Sequence, residues 1–115
     1  MKRKLLYFAI IFFFIFTNSF SKNLKFTKII DLDKPWGSSF INSNELLVTE
    51  KSGKLKIINI ENNHIKEIEH NLKFLEYGQG GLLDIIYKDG YIWISYTEDR
   101  GNSKTSTSIA KGKFD

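Results

Sequence analysis

From Leu24 onward the apolar residues come in short bursts broken by glycine, asparagine and aspartate, and no burst carries a helical period. The pattern predicts a leading strand over Leu24–Ile30, then strands over Ser38–Ile41, Glu45–Glu50 and Lys54–Ile60. The Lys-Leu-Lys-Ile start of Lys54–Ile60 alternates with period two, as a half-buried strand does. Asn63–His70 is highly charged and suits an exposed edge strand. Beyond the Gly78–Gly81 loop the pattern predicts Leu82–Tyr87 and Tyr91–Tyr96, joined by an Asp89-Gly90 hairpin, and a last strand over Ser106–Lys111.

These strands form a weak repeat. A loop with glycine leads into a buried strand, then a turn, then a strand ending in Thr-Glu; Thr49-Glu50 and Thr97-Glu98 echo one another at about one propeller blade's spacing. A blade is a four-stranded antiparallel sheet. The expected class is therefore all-β: a β-propeller portion holding the first blade and most of the second. A propeller buries its blade faces by closing into a ring. Two blades cannot close one, so this chain is expected to be the N-terminal part of a longer protein.

The residues before the strands form an address. Lys2-Arg3-Lys4 precedes an unbroken apolar run, Leu5–Phe16, too short to span a ~30 Å hydrocarbon core comfortably. With the small residues Ser19 and Ser21 this is the order of a secretory signal, and cleavage is expected after Ser21. Residues 1–21 would be the signal peptide and 22–115 the mature propeller portion, periplasmic or secreted, with no stable membrane insertion once cleaved. An uncleaved short anchor is the alternative. Six of the ten phenylalanines fall in this segment, so they contribute nothing to the core.

Charge changes the picture little. The formal net charge is +4, but without the three N-terminal cations the chain has 14 basic against 13 acidic side chains. The body carries no electrostatic footprint for nucleic acid. With no cysteine in the 115 residues, disulfides, Cys-based zinc sites, iron–sulfur clusters and a cysteine nucleophile are excluded together.

Candidate chemistry concentrates at Gly78-Gln79-Gly80-Gly81. A dinucleotide cradle would need glycine where Leu83 stands, and a helix after it; a strand is predicted instead. Positive-φ turns explain the glycines. They do not explain the amide of Gln79, whose donors and acceptors suit a carbonyl or a sugar hydroxyl. Trp36 follows Pro35 at a strand start, where a buried blade-edge role outweighs sugar stacking, and Trp93 is expected in the core. Glu50 and Glu98 end two strands and are expected to be solvated or bonded to turns rather than to act as an acid–base pair. Asp84 is expected to bond a neighbouring loop, and His64 and His70 to be surface residues.

Taken in order, Lys34-Pro35-Trp36-Gly37, LLVTEKSGKLKII, GQGGLLDI, YIWISYTE and TSTSIAKGKFD resemble the N-terminal region of the glucose/sorbosone dehydrogenase family, over about Leu32 to Asp115. The LLVTE-K-x-G-K-L turn and the GQGGLLD loop are the specific parts. The resemblance implies a six-bladed propeller that binds pyrroloquinoline quinone (PQQ) and calcium and oxidises aldoses to lactones. A family histidine takes the hydroxyl proton while hydride passes to the quinone, with calcium as Lewis acid. By the same match Gln79 is the catalytic and cofactor-binding position present here. The catalytic histidine, its neighbouring Asp, the PQQ-gripping Arg and Lys residues and the calcium ligands come later in the family's chain and match nothing here; His64 and His70 precede the loop.

The expected function is thus PQQ-dependent aldose oxidation, with a small-molecule sugar as partner, an electron acceptor that the sequence does not name, and a 115-residue portion inactive alone. A non-catalytic secreted propeller that binds carbohydrate or protein stays open, because fold does not settle chemistry. The address makes the first prediction: exported from a Gram-negative host, the chain should lose about its first 21 residues. Exported material whose N-terminal sequence still began at Met1 would contradict it.

Overall fold

The computed structural model describes residues 22–114; the expected signal peptide and Asp115 lie outside the described residues. The described chain is all-β. Sheet one is an antiparallel meander of β1 (Pro35–Phe40), β2 (Glu45–Glu50), β3 (Leu55–Asn59) and β4 (Ile65–Ile68), in that order. Sheet two is the antiparallel trio β5 (Leu82–Lys88), β6 (Tyr91–Asp99) and β7 (Thr105–Lys113). The first is a complete four-stranded propeller blade and the second is three strands of the next.

Local chemistry makes the turns. Asn42 Oδ1 accepts the N–H groups of Asn44 and Glu45, each at 2.9 Å, closing the β1–β2 turn. Asp89 and Gly90 take φ of 52° and 79°, the pair of positive values that a two-residue hairpin between β5 and β6 requires. Between β2 and β3, Gly53 N–H donates to Glu50 O at 2.9 Å.

The two sheets bury one face each against the other. Leu47 and Leu55 of sheet one meet Leu82, Ile85, Ile92, Ile94 and Tyr96 of sheet two. Period-two alternation puts Ile92, Ile94 and Tyr96 on that inner face and turns Tyr91 and Trp93 outward. Trp93 lies on the outward face of sheet two and is 42% exposed in this chain; Lys111 Nζ lies 5.0 Å from its ring and 3.9 Å from that of Tyr91.

Leu24–Ile30 forms no strand. Leu24 and Phe26 are almost fully exposed, and no described strand offers this segment a ladder partner. An alternating pattern states that a segment can be a strand; pairing needs a free edge beside it.

Backbone approaches that only glycine permits hold the sheets in register. A Cβ on Gly37 in β1 would lie 2.7 Å from Asp84 Cα in β5. A Cβ on Gly81, at φ +147°, would lie 2.1 Å from Lys51 O, so the loop before β5 rests directly on the β2–β3 turn. Gly81→Ala should therefore cost about 2 kcal/mol or more of stability, while Gly90→Ala, facing open space, should cost only the strain of its φ. Urea melts of the two variants test this, and an equal midpoint for Gly81→Ala and the parent would contradict the contact.

Candidate functional site

The loop that carries Gln79 is built by its neighbours. Gly80 N–H donates to Tyr77 O at 2.7 Å, and Gly78, at φ +56°, takes the first central place of that turn. Lys51 Nζ donates to Gly78 O. Gly80 fits because Thr97 Oγ1 would lie 2.8 Å from a Cβ there. Behind the loop, residues 73–75 pair with the end of β6: Leu75 N–H donates to Thr97 O at 2.9 Å and Asp99 N–H to Lys73 O at 3.2 Å, while Thr97 N–H donates to Gly81 O at 2.9 Å.

Gln79 is thereby held exposed on an open cavity of about 470 Å³. Trp36, Tyr77, Thr97, Thr105 and Thr107 share its walls, and none of the lining side chains carries a charge. The Gln79 amide has no hydrogen-bond partner among the described residues, so its donors and acceptor face solvent. Thr97 and Thr107 stand directly opposite across β6 and β7, which places two hydroxyls side by side.

Trp36 corrects the expectation of a buried blade-edge aromatic: it is 50% exposed and forms part of this wall. It is turned out because its neighbour Gly37 lies flat against β5, leaving no room beneath for an indole. Tyr77, which nothing in the sequence pattern singled out, is 80% exposed on the same cavity. Its signal was its place directly before the Gly-Gln-Gly-Gly loop.

Other candidates lie elsewhere. Glu50 is neither solvated nor at the cavity; it is fully buried. Its Oε1 accepts Lys56 Nζ at 2.7 Å and the Asp33 N–H at 2.9 Å, while Oε2 has no partner among the described residues. Burial pushes this carboxyl up. The Lys56 and Asp33 hydrogen bonds and the charges of Lys56 and Lys54 outweigh it and hold the group below its ordinary value. Glu98 bonds Arg100 Nε at 3.0 Å and Ser108 Oγ at 2.9 Å, so the two Thr-Glu echoes make no acid–base pair. Asp84 Oδ1 accepts the N–H of Ile85 on its own strand rather than bonding a loop.

His70 is not a plain surface residue. Its Nδ1 accepts Leu72 N–H at 3.3 Å, which assigns the proton to Nε2, 2.6 Å from Gly53 O. The ring also lies against Phe74, centroids 6.0 Å apart, and Phe74 underlies Gly53. His70 thus pins the β2–β3 turn. His64 is exposed.

The chain is similar to known proteins in sequence and in fold. The glucose/sorbosone dehydrogenase family model matches residues 32–115. The aldose sugar dehydrogenase YliI of Escherichia coli is 28% identical over 89 residues, covering 72% of this chain and 24% of that protein. The solved soluble aldose sugar dehydrogenase of E. coli, in its apo form, superimposes with a TM-score of 0.64 at 28% identity, over 71% of this chain and 25% of that one. The PQQ-bound aldose sugar dehydrogenase of Streptomyces coelicolor shares the fold, with a TM-score of 0.65 at 20% identity, over 74% of this chain and 26% of that one. The chain spans about a quarter of the length of these relatives. Among the described residues no helix is long and apolar enough to cross a membrane.

The buried pair generates a pH prediction. Glu50 has a lowered folded-state value, against an ordinary value of 4.5 in the unfolded chain. Its contribution is full above that ordinary value and is lost as pH falls through the folded value. The urea midpoint should drop as pH falls below about 4.5, and Glu50→Gln should flatten that drop while lowering stability near neutrality. Parallel midpoint curves for the two proteins would contradict it.

The chain belongs to the glucose/sorbosone dehydrogenase family.

Proposed function

We propose that the whole protein oxidises aldose sugars to lactones with PQQ, exported to the periplasm or beyond, and that this chain supplies part of the binding cleft through Gln79. The observation that carries the reading is the unengaged Gln79 amide on an uncharged cavity walled by hydroxyls and aromatic rings, in a chain of this family. When bound, PQQ supplies a quinone that accepts the hydride. An amide can meet a quinone carbonyl as donor or a sugar hydroxyl as donor and acceptor, and the two rings can cover a flat face. The lining offers no cation to the carboxylates of PQQ, so the residues described here fit its ring and carbonyl edge and leave its anionic edge to other parts of the protein.

Calcium does not fit here. Among the described residues no three His, Asp or Glu side chains converge as metal ligands would. The lining also has no histidine, carboxylate or amine that could take a proton. The work of these residues is binding and orientation, and the chain alone should show no turnover.

Gln79→Ala tests the assignment. In a protein carrying this chain at its relatives' length, supplied with PQQ and calcium, the substitution should lower aldose turnover by roughly 10- to 100-fold. PQQ should stay bound. Equal turnover and equal cofactor affinity would remove Gln79 from the site. Failure of the parent to bind PQQ would replace the enzyme by a carbohydrate- or protein-binding propeller.

A further inference from the structure

We infer that Lys51 is a positioning residue of the Gln79 loop: its side chain lies across the neck of Gly78–Gly81 and holds the peptide from which Gln79 projects. The inference rests on the proposed function for what Gln79 does and adds what keeps it in place. The Gly78–Gln79 peptide is the central one of the turn that the Gly80 N–H closes onto Tyr77 O. Little local structure stiffens that peptide. A Cβ on Gly78 would meet nothing within 4 Å, and a glycine leaves its own backbone angles free.

Lys51 supplies the restraint from the first sheet. It opens the turn between β2 and β3, and its own backbone is fixed on both sides: its N–H donates to Lys34 O at 3.0 Å, and its carbonyl lies against Gly81. Its stem follows Gly81, where a Cβ would stand 2.8 Å from Lys51 Cγ. Its Nζ then donates to Gly78 O, the carbonyl of the peptide that carries Gln79. One side chain therefore touches the last and the first glycine of the loop, with Gln79 between them. An ammonium on a carbonyl gives a charge-assisted hydrogen bond, stronger than a neutral one. Methionine would keep the stem and lose that bond, and arginine would keep a donor. Lys34 Nζ also reaches this segment, at Glu76 Oε1 3.3 Å away, but that pair is exposed and lies outside the turn, where an ion pair is worth little. Lys54, at the end of the same β2–β3 turn, is the control for charge: its Nζ pairs with Glu67 of β4 at 3.6 Å.

Hydrogen exchange of the Gly80 amide, read by NMR in a protein carrying this chain at its relatives' length, reports on the turn independently of catalysis. Lys51→Met should speed that exchange roughly three- to tenfold and leave the Thr97 amide, bonded to Gly81 O, at its parent rate. Lys51→Arg and Lys54→Met should both keep the parent rate at Gly80. With PQQ and calcium supplied, Lys51→Met should lower aldose turnover by roughly three- to tenfold, and Lys51→Arg should restore most of it. In the Gln79→Ala background Lys51→Met should lower turnover no further, because the side chain it positions is already gone. Parent exchange at Gly80 in Lys51→Met overturns the inference, as does equal acceleration at Gly80 and Thr97, which marks a general loosening. An equal loss of turnover in both backgrounds also overturns it. Parent turnover in Gln79→Ala would refute the proposed role of Gln79 instead, while Gly80 exchange would still decide for or against Lys51 as the residue that holds the loop.

Discussion

The hydroxyl of Thr49 is the joint on which the rest of this structure turns. It is completely buried; its Oγ1 accepts the Gly37 N–H of β1 at 3.0 Å and donates to Leu83 O of β5. One side chain thus satisfies backbone groups of two different sheets. Replacing it with valine would leave a half-buried N–H and a half-buried carbonyl without this partner, each worth about 1 kcal/mol. The geometry matters beyond its energy. Gly37 follows Trp36, and Leu83 lies on the cavity wall with Gln79. Fixing that pair of backbone atoms therefore fixes the separation of the site's two sides.

The residue after Thr49 extends the same logic to the chain before β1. Buried Glu50 holds the Asp33 N–H, and Lys51 N–H donates to Lys34 O at 3.0 Å, so the approach to Trp36 is clamped on consecutive residues. The ionic part of that clamp brings Lys56 into a half-wet interior, where breaking the pair costs more than forming it gains. The adjoining turn then serves the other wall. His70 and Phe74 secure Gly53, and Lys51 O receives Gly81 at a distance no side chain would allow. A site built on loops becomes rigid because its loops lie on turns that are themselves held.

How much of this was legible follows from which forces are local. All seven strands answer to expected ones, and Glu45–Glu50 agrees end to end, because period-two alternation and Asn or Asp-Gly turns act within a few residues. Leu24–Ile30 misled for the complementary reason: its pattern is sound, but strand pairing depends on an edge supplied from far along the chain. The expectations for Glu50 and Trp36 failed together. Each lies on a correctly read strand, and its burial depends on which face the second sheet covers, which no alternation states. The Thr-Glu echo shows the same limit. Thr49 is buried between sheets, whereas Thr97 in the equivalent place lines an open cavity.

That contrast follows from the packing order of the sheets. At the end of β2 the threonine hydroxyl is consumed by the next sheet's backbone, so nothing is left for a ligand. At the end of β6 the equivalent hydroxyl stands on the outward face of sheet two, opposite Thr107 across the ladder and against Gly80. The repeat thus presents the same hydroxyl first to the backbone of the second sheet and then to whatever packs on the second sheet's outward face. In this chain Thr97 is joined there by the Gln79 amide and the rings of Trp36 and Tyr77. The walls described carry neither acid nor base, so proton and hydride movement falls to groups outside them.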